Sequence, residues 1–511
     1  MDPLFEIELD LPRKGSRDAA RSLFEQLRAA IIDGRLGAGA KLPPTRKSAE
    51  FFRVSRNTAS DIYDRLLHEG YVVTRHGAGT YVAEAPPVRT SARAPAKEAA
   101  EPDPRLNPFW LRGDVAAAMG FWRDRAVRDA RAAKTPSVDF RPALVDSRLF
   151  PFDVFRRVSA RQLRGLERKP ASFRSAQGNQ GNFQLREAVS KHTALTRAVV
   201  CAAEDVLITA GAQQAFDLLA RILVKPNETV VAIEDPGYPP MRVPFAAAGA
   251  RIVPVGVDEE GLIVDRLPQE VGIICVCPSH QFPLGVTMSS RRRKALIAFA
   301  RARGAIIIED DYDGEFRYGE SSLEALRTSA NADVVFYVGT FSKCMLPALR
   351  LGFVVAPPWA MRALIAAKNG SDWHCSIPVQ LGIAAFIAEG HLTHHVRAMR
   401  SLYRRRRQLL LSSLRADFAG MLEPIGADYG MHLAALAAPT RDLDAVAESL
   451  MRDNVHIHSL SRYYLGAAKQ TGLIFGYGAV DHIEIRRGLT LLCRALHGST
   501  LRPRSSLARL R

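Results

Sequence analysis

The sequence predicts two folded parts of different class, a small winged helix-turn-helix at the amino terminus and a large α/β domain behind it. Three observations carry this prediction. The first 84 or so residues hold short helical patterns followed by one late strand pair. Residues 85 to about 136 include APPVRTSARAPAKEAAEPDPRL, rich in Ala, Pro and charge and poor in large apolar side chains, which reads as a linker. From residue 137 onward, β-branched runs alternate with amphipathic helical patterns, the signature of an α/β domain. The boundaries drawn are 1–84, a linker 85–136, a domain 137–498 and a basic tail 499–511.

In the first part, Leu23, Leu27 and Ile31 recur every four residues with Arg21, Glu25 and Arg28 on the other faces, so 17–33 is an amphipathic helix ended by Asp33-Gly34. A second helix starts near Thr45. Ser55 is placed to cap a third, RNTASDIYDRLLHEG, closed by Gly70. The β-prone runs 71–73 and 80–82 flank Arg75-His76-Gly77-Ala78-Gly79, whose glycines allow a tight hairpin tip, a wing.

Charge then becomes informative. The chain of 511 residues has 70 Lys and Arg against 53 Asp and Glu, a net +17, which favours an anionic partner. Lys41, Arg46, Lys47, Arg53 and Arg56 crowd the segment around the second helix, with Glu50 as its one acid. Arg56, Asn57 and Thr58 open the third helix, the end that enters a major groove, where Arg reads guanine and Asn adenine; Arg46 and Arg75 suit phosphates. The alternative is a packing module whose basic residues are merely solvated.

Composition excludes several classes. With 47% hydrophobic and 24% charged residues, the chain is neither disordered nor fibrous. Six dispersed cysteines (Cys201, Cys275, Cys277, Cys344, Cys375, Cys493) give no disulfide framework and no paired metal spacing. The start MDPLFEIELD lacks the form of an export signal, and no apolar run approaches a membrane span, so a reducing cytoplasm is expected.

Four motifs in 205–352 suggest a phosphate-bearing aldehyde cofactor. In VLITAGAQQAFDLLARIL a strand runs through Gly211, Ala212 and Gln213 into a helix whose free N–H groups suit a phosphate, although any strand-to-helix turn could contain this string. VVAIEDPGYPPMR brings Tyr238 to a strand end, where it either stacks on a flat ring or simply packs. GAIIIEDDYDGEFRY delivers Asp310, Asp311, Tyr312 and Asp313 together, either as a solvated loop or as a carboxylate facing a pyridine nitrogen with a tyrosine beside the ring oxygen. VVFYVGTFSKCMLPALRLGFVV frames Lys343 between apolar strands, where a desolvated amine becomes a Schiff-base nucleophile; Thr340 and Arg350 complete a phosphate cup.

Two resemblances sharpen this reading. The string from AIIDGRLGAGAKLPP through VSRNTASDIYDRLLHEG to HGAGTYV resembles the GntR-type winged helix along its whole length. It implies Arg46, Arg56 and Thr58 as DNA-contacting residues, with Gly77 and Gly79 shaping the wing. The order and spacing of the later motifs resemble the fold-type I aminotransferases over about 138–490, with a large α/β domain of mainly parallel sheet and a smaller carboxyl-terminal α+β subdomain. Joined to the head, the whole resembles the MocR/GabR class of bacterial regulators.

That resemblance implies pyridoxal 5′-phosphate bound through Lys343, with Asp310 on the ring nitrogen, Tyr312 on the ring hydroxyl and Tyr238 stacking. Gly211, Ala212, Gln213, Thr340 and Arg350 would surround the phosphate, and Gln281 of PSHQFP would stand beside the ring oxygen. It also implies a head-to-tail homodimer, two heads on a DNA operator, and a small amine or amino acid derivative as effector. One departure counts: GLIFGYGAV sets Ile474 where many relatives carry a carboxylate-binding arginine, and Arg486 and Arg487 fall in the next helix. A transcription factor that senses an amine by exchange at Lys343 is therefore expected ahead of a working aminotransferase with an accessory head, or of a regulator for which the cofactor alone is the signal. Arg404–Arg407 are expected on a solvated helix face, Cys275 and Cys277 in the core. His391, His394 and His395 lack an acidic partner at ligand spacing, so no metal is assigned.

Overall fold

The computed structural model describes residues 9, 19–84, 103–122, 137–168, 178–319, 324–426 and 428–498; the tail 499–511 lies outside them. The chain divides into two compact units, Met1–Leu106 and Asn107–Arg511.

The first unit runs α1 (Ala19–Ile32), β1 (Lys41–Leu42), α2 (Thr45–Phe52), α3 (Arg56–His68), β2 (Val72–Arg75) and β3 (Gly79–Val82). Leu23, Phe24, Leu27 and Ile31 of α1 meet Phe52, Ile62, Leu66, Val72 and Val82 in one core. The four-residue spacing in the sequence is the buried stripe of α1. Ser55 caps α3 by accepting from the Thr58 N–H at 3.1 Å, and Tyr63 donates to the Pro43 carbonyl at 3.0 Å, which ties α3 to the start of α2. The wing is tighter than its sequence suggests: Arg75 pairs directly with Gly79, so the strands extend to a tip of three residues. Gly77 and Gly79 there have φ of +72° and +115°, values that β-carbon sterics deny most residues. The two-residue strand β1, which carries no distinct sequence signal, pairs with β3.

The second unit opens with α4 (Gly113–Met119), inside the stretch read as linker, followed by β4 (Val138–Asp139), α5 (Phe152–Arg168), α6 (Phe183–Arg197), β5 (Val206–Thr209), α7 (Ala212–Leu223), β6 (Val230–Asp235) and α8 (Pro239–Ala247). Next come β7 (Arg251–Asp258), β8 (Gly261–Leu262), β9 (Ile273–Val276), α9 (Ser290–Arg303), β10 (Ile306–Asp311), β11 (Val335–Thr340), β12 (Gly352–Val355), α10 (Pro358–Ser371), α11 (Ile377–Ala388) and α12 (His391–Asp417). It closes with β13 (Glu423–Ile425), β14 (His432–Ala437), α13 (Leu443–Arg452), β15 (Val455–His456), β16 (His458–Ser459), β17 (Thr471–Gly476) and α14 (His482–Gly498).

Among the described residues the large sheet has the order β5-β12-β11-β10-β9-β6-β7-β8, parallel from β11 through β7 and antiparallel at β12 and β8. Apart from the partly exposed β7, its strands are buried on both faces, as a helix-covered parallel sheet requires. One face packs Ile308, Val338 and Val354 on α7, α8 and α10; the other packs Ile307 and Val335 on α9. A smaller antiparallel sheet, β13-β14-β17-β16, forms the carboxyl-terminal part with α13 and α14.

Two expectations are corrected here. The stretch 85–136 is not linker throughout, because residues 103–122 carry α4, whose Val115 and Ala118 pack on Val243 of α8. The run Arg404–Arg407 is not wholly a solvated face either. α12 turns every fourth position inward, so Arg406 is buried against Asp146 at 3.3 Å and Arg407 pairs with Asp428 at 2.8 Å, while Arg404 and Arg405 stay exposed.

Phe52 is completely buried at the centre of the first unit. Phe52→Ala is expected to destabilise that unit by about 3–5 kcal/mol through lost contacts and a residual cavity. Calorimetry should show its transition move down while that of the second unit stays put.

Candidate functional site

Period-two alternation along β10 builds the site. Ile308, Asp310 and Tyr312 fall on the face covered by α7 and α8, whereas Ile307, Glu309 and Asp311 fall on the opposite face. Asp311 is thereby taken up by Arg197 at 2.6 Å and by the Tyr337 hydroxyl at 2.6 Å. Asp310 instead faces a cavity of about 540 Å³, lined also by Trp122, Arg141, Ala143, Ala212, Gln213, Tyr238, Phe282, Tyr312, Thr340, Ser342, Lys343 and Arg350. The volume suits a small organic ligand.

Two groups in this cavity are held away from their ordinary ionisation. Burial pushes the Asp310 carboxyl up to about 7, with Asp311 and Asp313 adding repulsion, while Cys277 and Lys343 pull the other way. Burial likewise pushes the Lys343 amine down to about 8, against the pull of Asp313 and Asp310. Lys343 sits in the turn that leaves β11 and donates to the Ala143 carbonyl at 2.6 Å. One carboxylate oxygen of Asp310 touches the Cys277 thiol at 3.8 Å; the other, Oδ1, is buried with no hydrogen-bond partner. An unpartnered buried carboxylate oxygen fits a cationic ring N–H and is costly otherwise.

At the other end, Gly211, φ +81°, caps the start of α7. A β-carbon there would lie 3.0 Å from Arg350 Nη2, so glycine is what lets the guanidinium approach the helix amino terminus. Arg350 donates to the Ala210 carbonyl at 3.0 Å, Thr340 is tied to Ser342, and the first-turn residues Ala212 and Gln213 face the same space. Cation, hydroxyls and helix dipole converge as a phosphate requires.

Tyr238 caps α8 at the end of β6 and accepts from Trp122 Nε1 at 2.9 Å; burial pushes its hydroxyl up to about 12. The Tyr312 hydroxyl lies 2.8 Å from His280 Nδ1, which is also 2.9 Å from Asp313 Oδ2. His280, Asp313 and His432 lie within reach of one ion. Burial, however, pushes His280 down to about 3 and His432 well below its ordinary value, and Tyr312 and the Pro283 carbonyl already engage them.

The structure thus brings together around the cavity Lys343, Asp310, Tyr312, Tyr238, Gly211, Ala212, Gln213, Thr340 and Arg350. It does not bring in Gln281. That amide lies behind the wall, donating to the Pro236 and Phe282 carbonyls at 2.8 Å and accepting from the Leu284 N–H at 3.0 Å. Ile474 is fully buried on β17 in the apolar core, and Arg486 and Arg487 ride on α14. Three features in or directly behind the cavity wall carry no signal in the sequence motifs. His280 lies inside the PSHQFP string. Arg141, bonded to Asp139 at 2.9 Å, precedes the Ala143 carbonyl. Trp122 lies in the supposed linker, where the pairs Phe109-Trp110 and Phe121-Trp122 were the signal to notice.

In the first unit Arg46, Lys47, Arg53, Arg56 and Asn57 are exposed on one helix-turn-helix, and Thr58 is half-buried with its hydroxyl 2.8 Å from Ser55. Arg75 lies over Tyr81, 4.9 Å from the ring centre, beside the glycine tip.

Residues 19–82 match the gntR family of bacterial regulatory proteins and residues 149–474 match aminotransferase class I and II. The chain is 33% identical over 485 residues to a probable rhizopine catabolism regulatory protein, MocR, of Rhizobium meliloti, covering 95% of each. It is 29% identical to the pyridoxine biosynthesis regulator PdxR of Corynebacterium glutamicum, covering 91% of this chain and 93% of that one. Against the regulator TauR of Rhodobacter capsulatus the identity is 30%, with 94% and 97% covered. The solved α-aminoadipate aminotransferase LysN of Thermus thermophilus, complexed with a phosphopyridoxyl-leucine, is 26% identical and superposes with a TM-score of 0.65, covering 77% of this chain and 99% of its own.

Only a neutral amine attacks an aldehyde. Since burial pushes the Lys343 amine down to about 8, trapping of pyridoxal phosphate at Lys343 by borohydride should accelerate as pH rises through about 8 and level off above it; a rate flat across that window contradicts the assignment.

Proposed function

Because this chain belongs to the MocR-type transcriptional regulators, in which a gntR-type DNA-binding domain is joined to an aminotransferase class I and II domain with pyridoxal phosphate as cofactor, we propose that it regulates transcription by sensing a primary amine at Lys343. The observation that carries this reading is the pairing in one cavity of an amine and a carboxyl both displaced toward neutrality by burial.

When bound, the cofactor supplies an aldehyde carbon that condenses reversibly with primary amines. The chain's own residues do the rest. Asp310, with Oδ1 buried and unpartnered, would accept from the ring nitrogen and keep its proton there. Arg350, Thr340 and the N–H groups at Gly211, Ala212 and Gln213 would hold the phosphate. Tyr238 would pack against the ring, and Tyr312, steadied by His280, would donate to the ring oxygen. Lys343, whose amine burial pushes down to about 8, would be the residue that holds the aldehyde and would take up a proton when free. Ile474 supplies no charge for an α-carboxylate, which supports sensing over efficient amino transfer.

In the head, Arg56 and Asn57 read base edges, Thr58 supports them from the first turn, and Arg46 and Arg75 hold phosphates beside Gly77 and Gly79. The family reading implies a homodimer, so that two heads meet two half-sites; Phe152 and Leu163 on α5 and Leu195 on α6 are exposed apolar side chains that a partner copy would cover.

The test is spectral and functional together. The purified protein should be yellow, Lys343→Ala colourless, and an amine panel should shift both the absorbance band and operator affinity in the wild type alone; robust product formation with a keto-acid acceptor and no operator binding would overturn the reading. Separately, Arg56→Ala should weaken specific operator binding by about 1–3 kcal/mol and blur base preference at one position of each half-site.

A further inference from the structure

Residues 107–122 belong to the second unit by their contacts, yet in sequence they lead directly back to the head. Their hold on the unit is modest. Val115 and Ala118 of α4 meet Val243 in a small apolar cluster with Phe109, and Arg242 donates to the Asp114 carbonyl at 3.3 Å. The firm anchor is Phe121, buried among Tyr463, His458 and Tyr238 with ring centres 5.3–6.1 Å away. The next residue is different. Trp122 is 37% exposed and lays its indole over the cavity mouth, the ring centre 5.4 Å from Lys343 Nζ and Nε1 bonded to the Tyr238 hydroxyl. One side chain therefore touches the amine-bearing lysine, the ring-stacking tyrosine and the end of the segment that leads to the DNA-binding head.

We propose that Trp122 reads the size of the amine at this site: a ligand whose substituent reaches the mouth displaces the indole, and that displacement shifts residues 107–119, which lead into the buried anchor Phe121, between docked and undocked positions. The inference rests on the amine-sensing reading above and adds which part of the ligand matters and where its signal leaves the site. The energetics suit a switch. The displaced contacts are one hydrogen bond, Trp122 Nε1 to the Tyr238 hydroxyl, and the contact of the indole with Lys343, each weak by itself. The α4 cluster is small enough that such a loss shifts its docking equilibrium, and couplings of about 5–150-fold are usual for allosteric pairs.

Two oxyamine probes of different size test it on the full-length holoprotein: methoxyamine, which captures the aldehyde and frees Lys343 with almost no substituent, and O-benzylhydroxylamine, which does the same while carrying a ring to the mouth. Both should bleach the yellow band. In the wild type the benzyl probe is expected to change operator affinity about 5-fold or more, and methoxyamine less than about 2-fold. Trp122→Ala should keep the band and the bleaching but lose the difference between probes, and Trp122→Phe, which keeps a ring without Nε1, should fall between. Equal effects of the two probes in the wild type, or a difference surviving in Trp122→Ala, overturn the proposal. If neither probe alters the spectrum, the cofactor assignment at Lys343 fails and this inference falls with it, an outcome the spectrum separates from the others. Tryptophan fluorescence offers a second reading: addition of pyridoxal phosphate to the cofactor-free protein should quench the wild type more than Trp122→Phe, and equal quenching counts against an indole at the mouth.

Discussion

The second unit is organised around a carboxyl and an amine that face one cavity with too little water to keep both in their ordinary states. Asp310 and Lys343 come from neighbouring strands, and each is shifted toward neutrality chiefly by desolvation. Neither has a stable role there alone. A buried acid beside the apolar floor of α7 and α8 costs folding energy, and the chain commits still more acid nearby, with Glu234 behind Asp310 pushed up to about 8 by burial. A cationic ring nitrogen and an aldehyde would answer both needs, the first facing Asp310 and the second facing the Lys343 amine. The fold's cost and the cofactor's affinity are two sides of one electrostatic arrangement.

Everything else in the unit fixes the distance between those two groups. β10 and β11 pair in parallel with Asp310 opposite Val338 and Asp311 opposite Gly339, so the sheet register sets where the acid stands relative to the turn bearing Lys343. Gly339 is required there, because a β-carbon would lie 2.3 Å from the Phe353 ring. The opposite face is neutralised by Arg197 on Asp311, whose guanidinium is held charged despite burial by that carboxylate and by Tyr337 and Glu309. Had β10 slipped by one residue, the two acids would exchange faces, and Asp310 would meet Arg197 while Asp311 faced the cavity.

Much of this was legible in sequence, for identifiable reasons. The alternating runs around Ile306–Ile308 and Val335–Val338 announced parallel strands; the glycines at 77 and 79 announced the wing; Lys343 stood out because its neighbours are apolar. Gln281 misled because its place in PSHQFP says nothing about which way an amide turns, and a chain folding back at Phe282–Leu284 needs that amide for its own backbone. Arg406 misled because a charge run on a helix looks solvated until one knows which side meets Asp146. Trp122 was lost for a different reason: an Ala- and Pro-rich composition describes an average, whereas docking depends on the few aromatic residues that depart from it.

The same distinction governs how a signal can leave the cavity. A ligand shifts a conformational equilibrium only through its differential affinity for the two states, so an element that contacts the ligand equally in both transmits nothing. The sheet residues around Asp310 are of that kind, clamped by strand pairing and core packing, and a ligand cannot move them without breaking the fold. Residues 107–122 are of the other kind. Ahead of the Phe121 anchor they carry few buried apolar side chains, Val115 and Ala118 in a small cluster with Phe109 and Val243, while Met119 and Trp122 line the cavity, so a bound molecule that moves Trp122 acts on a segment held by few contacts. A rigid site that binds, bordered by a weakly held segment that responds, is the minimum a sensor needs; the aminotransferase-like core provides the first, and the segment ending in Trp122 meets the physical requirement for the second.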